Sequence, residues 1–221
     1  MAAIVAFCGP SLPPAQAQAA LPGGEILGPA ARGDVYRVAR QSPDAIVLID
    51  GYFEHQLSVW HKEILWALSR GVRVYGAASM GALRAAELYP FGMVGVGLVF
   101  KLYRDGVFEE DDAVAVAHES AERGYWPKSV ALVNIFCSLR AAVSAGAMAQ
   151  DAAAVLLGEQ RDLFYPEREW PAAGFERIDQ KRLDALAALE LAGRDAASGQ
   201  GKPQPFHFEH TECFHGLARL E

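Results

Sequence analysis

Three short apolar runs, each broken at a turn and followed by a helix-forming segment, constrain the fold more than anything else in this chain. Residues 4–8 read IVAFC and stop at Gly9-Pro10; residues 45–49 read AIVLI and stop at Asp50-Gly51; residues 72–75 read VRVY and stop at Gly76. A strand with one wet face alternates apolar and polar side chains, whereas a parallel strand covered on both faces is apolar throughout. The runs therefore predict buried parallel strands joined by crossover helices, an α/β layered domain of Rossmann-like character.

The crossover segments carry recognisable boundaries. Between the second and third runs, Ser58 is the expected N-cap and Gly71 the expected stop, with Trp60, Ile64, Leu65 and Leu68 on the face towards the sheet and Lys62 turned away from it. The helix after Ser79 runs through Leu83, Ala86 and Leu88 to Pro90, which ends it. Gly92, Gly95 and Gly97 mark turns or close packing before a helix resumes at 98–104, and an acidic run at 109–112 precedes an expected short strand at 113–117. Beyond Trp126 the chain turns alanine-rich with helical spacing at 130–143, 147–160 and 178–191. The expected division is an α/β core over 1–120 and a mainly helical region with a tail over 121–221.

Composition narrows the function classes. A 221-residue chain that is 52% hydrophobic can bury a sizeable core, and a net charge of -7 argues against the broad positive field that nucleic acid attracts. Charged residues such as Lys62, Arg84 and Lys101 interrupt every apolar stretch before it reaches membrane-spanning length, and MAAIVAFCGP lacks the basic leader of a signal peptide. Cys8, Cys137 and Cys213 lie far apart without the spacing of a disulfide framework or zinc knuckle, so a reducing cytoplasm is expected.

The strongest chemical signal is Ala77-Ala78-Ser79-Met80-Gly81, a serine between small residues at a strand-to-helix turn. Such a turn presents a hydroxyl at the carboxyl edge of a sheet; the competing use of Ser79 is as a plain helix cap. A serine nucleophile needs a base, and Lys62 lies on the helix before the strand that feeds Ser79. Gly9-Pro10-Ser11-Leu12 offers backbone N–H groups and a second hydroxyl at another strand end, so Ser11 is both a second candidate nucleophile and a candidate N-cap. Asp50, Glu54, His55 and His61 gather around the second strand end, where they can orient Lys62 or serve as ordinary loop and cap residues. His207, Glu209, His210, Glu212, Cys213 and His215 fit no zinc spacing, and Phe206, Phe208 and Phe214 alternating with polar residues among them read as a strand or a docking tail; no metal is expected.

Taken in order, GPSL at 9–12, DGYFE at 50–54, VWHKEILWALSRGV at 59–72, GAASMGALRAAEL at 76–88 and FGMVGVG at 91–97 resemble the TfuA-like family over roughly residues 3–120. The resemblance implies a role beside YcaO enzymes, which use ATP to activate a backbone amide oxygen of a ribosomal peptide or protein for replacement by sulfur. It implies hydrolysis of the C-terminal thiocarboxylate of a ThiS-like sulfur-carrier protein, and promotion of peptide engagement by YcaO. It also implies a Ser-Lys catalytic pair, carried onto Ser79 and Lys62, with Ser11 left open as the alternative serine. Backbone groups around Gly9, Ser11, Met80 and Gly81 are the expected oxyanion or binding loops, and Asp50, Glu54, His61 and Arg84 the expected supporting side chains; no cofactor is expected. The rival expectation is a non-catalytic adaptor that docks on YcaO through the VWHKEI and RAAEL faces. A nucleotide-binding domain has only the strand-end glycines behind it.

Overall fold

The computed structural model describes residues 3–54, 56–199, 203–212, 214 and 216; His55, Cys213 and His215 lie outside them. Five parallel strands form one sheet in the order β2-β1-β3-β4-β5. They are β1 (Ile4–Phe7), β2 (Glu25–Leu27), β3 (Ala45–Leu48), β4 (Arg73–Gly76) and β5 (Val94–Gly95). Eight α-helices accompany them among the described residues: α1 (Pro14–Ala20), α2 (Asp34–Ala39), α3 (His61–Ser69), α4 (Met80–Leu88), α5 (Gly97–Arg104), α6 (Leu132–Ser144), α7 (Gln150–Arg161) and α8 (Gln180–Ala197). The chain is α/β, as the apolar runs predict, with its sheet in the N-terminal part and helices after it.

The strand side chains divide by twos between two cores, which is why the runs are apolar apart from Arg73 at the start of β4. Val5 and Phe7 of β1, Ile46 and Leu48 of β3 and Val74 of β4 pack with α2, α3 and α4. Ile4, Ala6, Cys8, Ala45, Val47, Ile49 and Tyr75 point the other way, onto Ala17 of α1 and Ala185, Ala188, Leu189 and Ala192 of α8. Those α8 residues sit at i, i+3, i+4 and i+7, a helical stripe in which three alanines let the helix lie close to the sheet. The second core thus crosses position 120: the last helix closes the face that the N-terminal strands leave open. Each large side chain fully buried there, such as Leu189, stabilises by roughly 1.5–3 kcal/mol.

Several expected boundaries shift, each for a physical reason. Trp60, not Ser58, caps α3, because the Glu63 carboxylate turns back to accept the Trp60 N–H at 2.7 Å. Ser11 is not the cap of α1, which begins behind Pro13. The expected strand at 113–117 does not form; residues Asp111–Val114 make a 3-10 turn instead. Its carbonyls are taken by side chains rather than by a neighbouring strand: Arg168 donates to Asp112 O at 2.7 Å and Lys181 to Val114 O at 2.6 Å. The edge strands β2 and β5, three and two residues long, add to the three strands that the sequence pattern announces. Among the described residues, no helix is long and apolar enough to cross a membrane.

Candidate functional site

The chain runs from β1 outwards to β2 and then back past β1 to β3, so strand order reverses between β1 and β3. In open parallel sheets that reversal parts the loops at the strands' carboxyl ends and leaves a crevice. Asp50, at the end of β3, spans it. Its buried carboxylate accepts the Gly9 N–H at 2.8 Å, the Ser11 N–H at 3.0 Å and the Ser11 hydroxyl at 2.6 Å. The Ser11 hydroxyl and the Gly9 and Ser11 N–H groups are therefore committed to Asp50, which shapes the GPSL loop.

The Ser79 turn is built differently. The Ser79 N–H donates to Ala77 O at 2.7 Å, closing a three-residue turn about Ala78, whose φ is 64°. A γ-turn of this hand is rare and strained for a residue with a Cβ, and such strain clusters at functional sites. Ser79 occupies the N-cap position of α4, yet its side chain makes no cap bond, so the helix does not use its hydroxyl. Gly81 lets α4 come this close: a Cβ there would lie 1.8 Å from Leu48 O.

Ser79, Asp50 and Met80 line a cavity of about 410 Å³ that reaches Tyr165 and Lys181 in the C-terminal half. Lys181 enters it from the first turn of α8 and is 3% exposed. Burial pushes its ammonium below the ordinary lysine value, with the Asp50 and Asp179 carboxylates pulling the other way. Asp50 thus faces both the Ser11 loop and the Lys181 amine. His118 lines the same cavity. A buried amine shifted towards its neutral form, in one cavity with a serine whose hydroxyl makes no hydrogen bond among the described residues, is chemistry for acyl transfer.

The family model for TfuA-like proteins matches residues 50–169, more than half of the 221-residue chain. The chain belongs to the TfuA-like family. No curated protein sequence matches it. The matched span leaves the GPSL loop of this TfuA-like protein outside and extends past residue 120 through α6 and α7 to Tyr165 and Arg168. Family pattern is therefore present in the C-terminal half, where the sequence motifs do not announce it. Tyr165, within the matched span, lines the cavity, packs edge-on against Phe53 at 5.9 Å and donates to Glu54 at 3.3 Å. Arg168, also within it, is 1% exposed and bonded to both the carbonyl and the carboxylate of Asp112.

The other expected site residues of the TfuA-like protein are scattered. Lys62 is not among the residues that line the cavity. Its amine donates to Glu209 O at 3.5 Å and sits 5.3 Å from the Phe208 ring centroid, under the C-terminal tail. Phe214 of that tail is 2% exposed and packs edge-on against Tyr36, so the segment docks as its phenylalanines indicate. No group of three or more metal-capable side chains occurs among the described residues. His61 meets Glu87 at 2.7 Å, and Arg84 reaches both Glu87 at 2.8 Å and Val59 O at 2.9 Å, joining the VWHKEI and RAAEL segments into one surface. Burial raises the Glu87 carboxyl, but the His61 hydrogen bond and the Arg84 charge outweigh it and leave the group below its ordinary value. The Gly81 N–H is taken by Ile49 O at 3.2 Å. Lys181 is the residue the sequence reading passes over, although 181, 185, 188 and 192 share one apolar stripe of α8.

Proposed function

We propose that this TfuA-like protein supplies sulfide to a YcaO partner for peptide backbone thioamidation, by hydrolysing the C-terminal thiocarboxylate of a ThiS-like sulfur carrier. The observation that carries the reading is the shared cavity of Ser79 and Lys181 at the carboxyl edge of the sheet. Neutral Lys181 takes the Ser79 proton, and the alkoxide bonds to the thiocarboxylate carbon. The N-terminal peptide groups of α4, beginning with the Met80 N–H, offset the charge that develops on oxygen. Lys181 returns its proton to sulfur, the C–S bond breaks and hydrosulfide leaves. Water then cleaves the Ser79 ester and frees the carrier carboxylate. Lys62, the amine expected from chain order, belongs in this reading to the surface under the tail; Lys181 has its place in the cavity.

The test is sulfide release from a purified thiocarboxylated carrier. Ser79→Ala lowers it on the order of 10³-fold or more, whereas Ser11→Ala, which removes a hydroxyl already bonded to Asp50, leaves most of it. Full release by Ser79→Ala sinks the hydrolytic reading.

The joined His61–Glu87–Arg84 surface favours a second role, docking on YcaO to promote peptide engagement. If that role is separate, Ser79→Ala still stimulates thioamidation when free sulfide is supplied, and Arg84→Ala does not. Loss of stimulation in Ser79→Ala under free sulfide contradicts the separation.

A further inference from the structure

Among the titratable side chains that line the cavity is a histidine to which sulfide release assigns no step. His118 follows the 3-10 turn at Asp111–Val114 and lines the cavity with Ser79 and Lys181. Its Nδ1 lies 2.7 Å from Glu119 O. A carbonyl oxygen only accepts, so the proton of the neutral ring sits on Nδ1 and Nε2 carries the lone pair. Among the described residues, the only hydrogen bond of the His118 ring is this one through Nδ1, and the ring is part-exposed, so Nε2 is open to water.

The backbone around this imidazole is held from both sides. His118 pairs with Pro127 in an antiparallel bridge, the Glu119 N–H donates to Trp126 O at 2.8 Å and the Lys128 N–H to Ala117 O at 2.7 Å. The Tyr125 ring meets the imidazole edge-on at 5.9 Å. Ser129 accepts the Ala117 N–H at 2.9 Å, one residue earlier. A ring fixed in one tautomer, with its basic nitrogen unspent, in the cavity that Ser79 also lines, is an arrangement suited to a general base.

We infer that His118 is a catalytic residue of the second half-reaction, the base for the water that hydrolyses the Ser79 ester; this rests on the thiocarboxylate reading above. Lys181 spends its proton cycle on making the alkoxide and on protonating the leaving sulfur. In the step that follows, Nε2 takes a proton from water as the water oxygen bonds to the acyl carbon. The C–O bond to Ser79 breaks, and the imidazolium returns that proton to Ser79 Oγ. Carboxylate is released, and both side chains regain their starting states.

The experiment follows sulfide release and the intact mass of the enzyme together, after mixing with thiocarboxylated carrier. Wild type turns over steadily. His118→Gln releases one equivalent of sulfide in a burst and then slows about 10²-fold, with a carrier–enzyme ester building up that Ser79→Ala abolishes. Hydroxylamine, which attacks an ester without help from a base, restores turnover in His118→Gln; a variant merely misfolded gains nothing from it. Wild-type turnover in His118→Gln, or slow turnover with neither burst nor ester, overturns the role of His118 alone. A wild-type protein that releases no sulfide overturns the thiocarboxylate reading and this inference with it.

Discussion

A lysine folded into an apolar helix stripe destabilises a protein unless something compensates; at Lys181, among the described residues, a side-chain hydrogen bond to Val114 O and the Asp50 and Asp179 charges do so in part. Its folded pKa is lowered, so its contribution to stability is present above the ordinary lysine pKa and is lost as pH falls through the folded value. At neutral pH the side chain therefore weighs against the fold. Lys181→Met is expected to leave the urea midpoint unchanged or raised while removing sulfide release; Lys62→Met is expected to keep release near wild type. A Lys181→Met protein that hydrolyses normally, beside an inactive Lys62→Met, would return the amine role to Lys62. Residue identity explains why the sequence pointed to Ser79 and not to Lys181. GAASMG announces a strand-to-helix turn by its small residues, whereas a single lysine in an alanine-rich helix reads as a solvated face. Only its register with Ala185, Ala188 and Ala192 marks it as inward.

Among the elements, α8 closes the sheet and also fixes α5. The buried Asp184 carboxylate accepts the Val99 N–H at 2.7 Å, and Gly97, at φ 91°, leaves room for it where a Cβ would lie 2.1 Å from its Cγ. The last glycine of FGMVGVG is thus a seat for a carboxylate 87 residues away in the chain. Burial raises the Asp184 pKa, against the backbone N–H bonds that lower it. A carboxyl raised in the folded state stabilises below its unfolded pKa, and that contribution is lost as pH rises through the folded value. The Asp184 contribution is therefore lost as pH rises above the ordinary Asp value of about 3.9, so the melting temperature of Asp184→Asn should gain on that of wild type as pH rises through this range. A difference between the two proteins that does not change with pH would contradict the assignment. At Gly81, a methyl group must displace the backbone of β3, so Gly81→Ala should destabilise by about 1–3 kcal/mol or more in urea unfolding. The central strands were legible because they are covered on both faces; β2 and β5 were not, being short and partly exposed. The expected strand at 113–117 failed because Arg168 and Lys181, distant in sequence, compete for its carbonyls.

At the scale of the molecule, the site belongs to neither half of the chain alone. Ser79 and Asp50 come from the sheet's carboxyl edge, His118 and Tyr165 from the connections on either side of α6 and α7, and Lys181 from the helix that covers the opposite face of the sheet. This is why motif order within the first half could indicate a nucleophile but not its partner. On the proposed reading, the Ser79 hydroxyl attacks a carrier thiocarboxylate inside this cavity. Rapid quenching of His118→Gln during turnover, followed by peptide mapping, should then find an acyl ester on the peptide that contains Ser79. An ester on Ser11, or continued sulfide release with no ester anywhere and undiminished by Ser79→Ala, would contradict it.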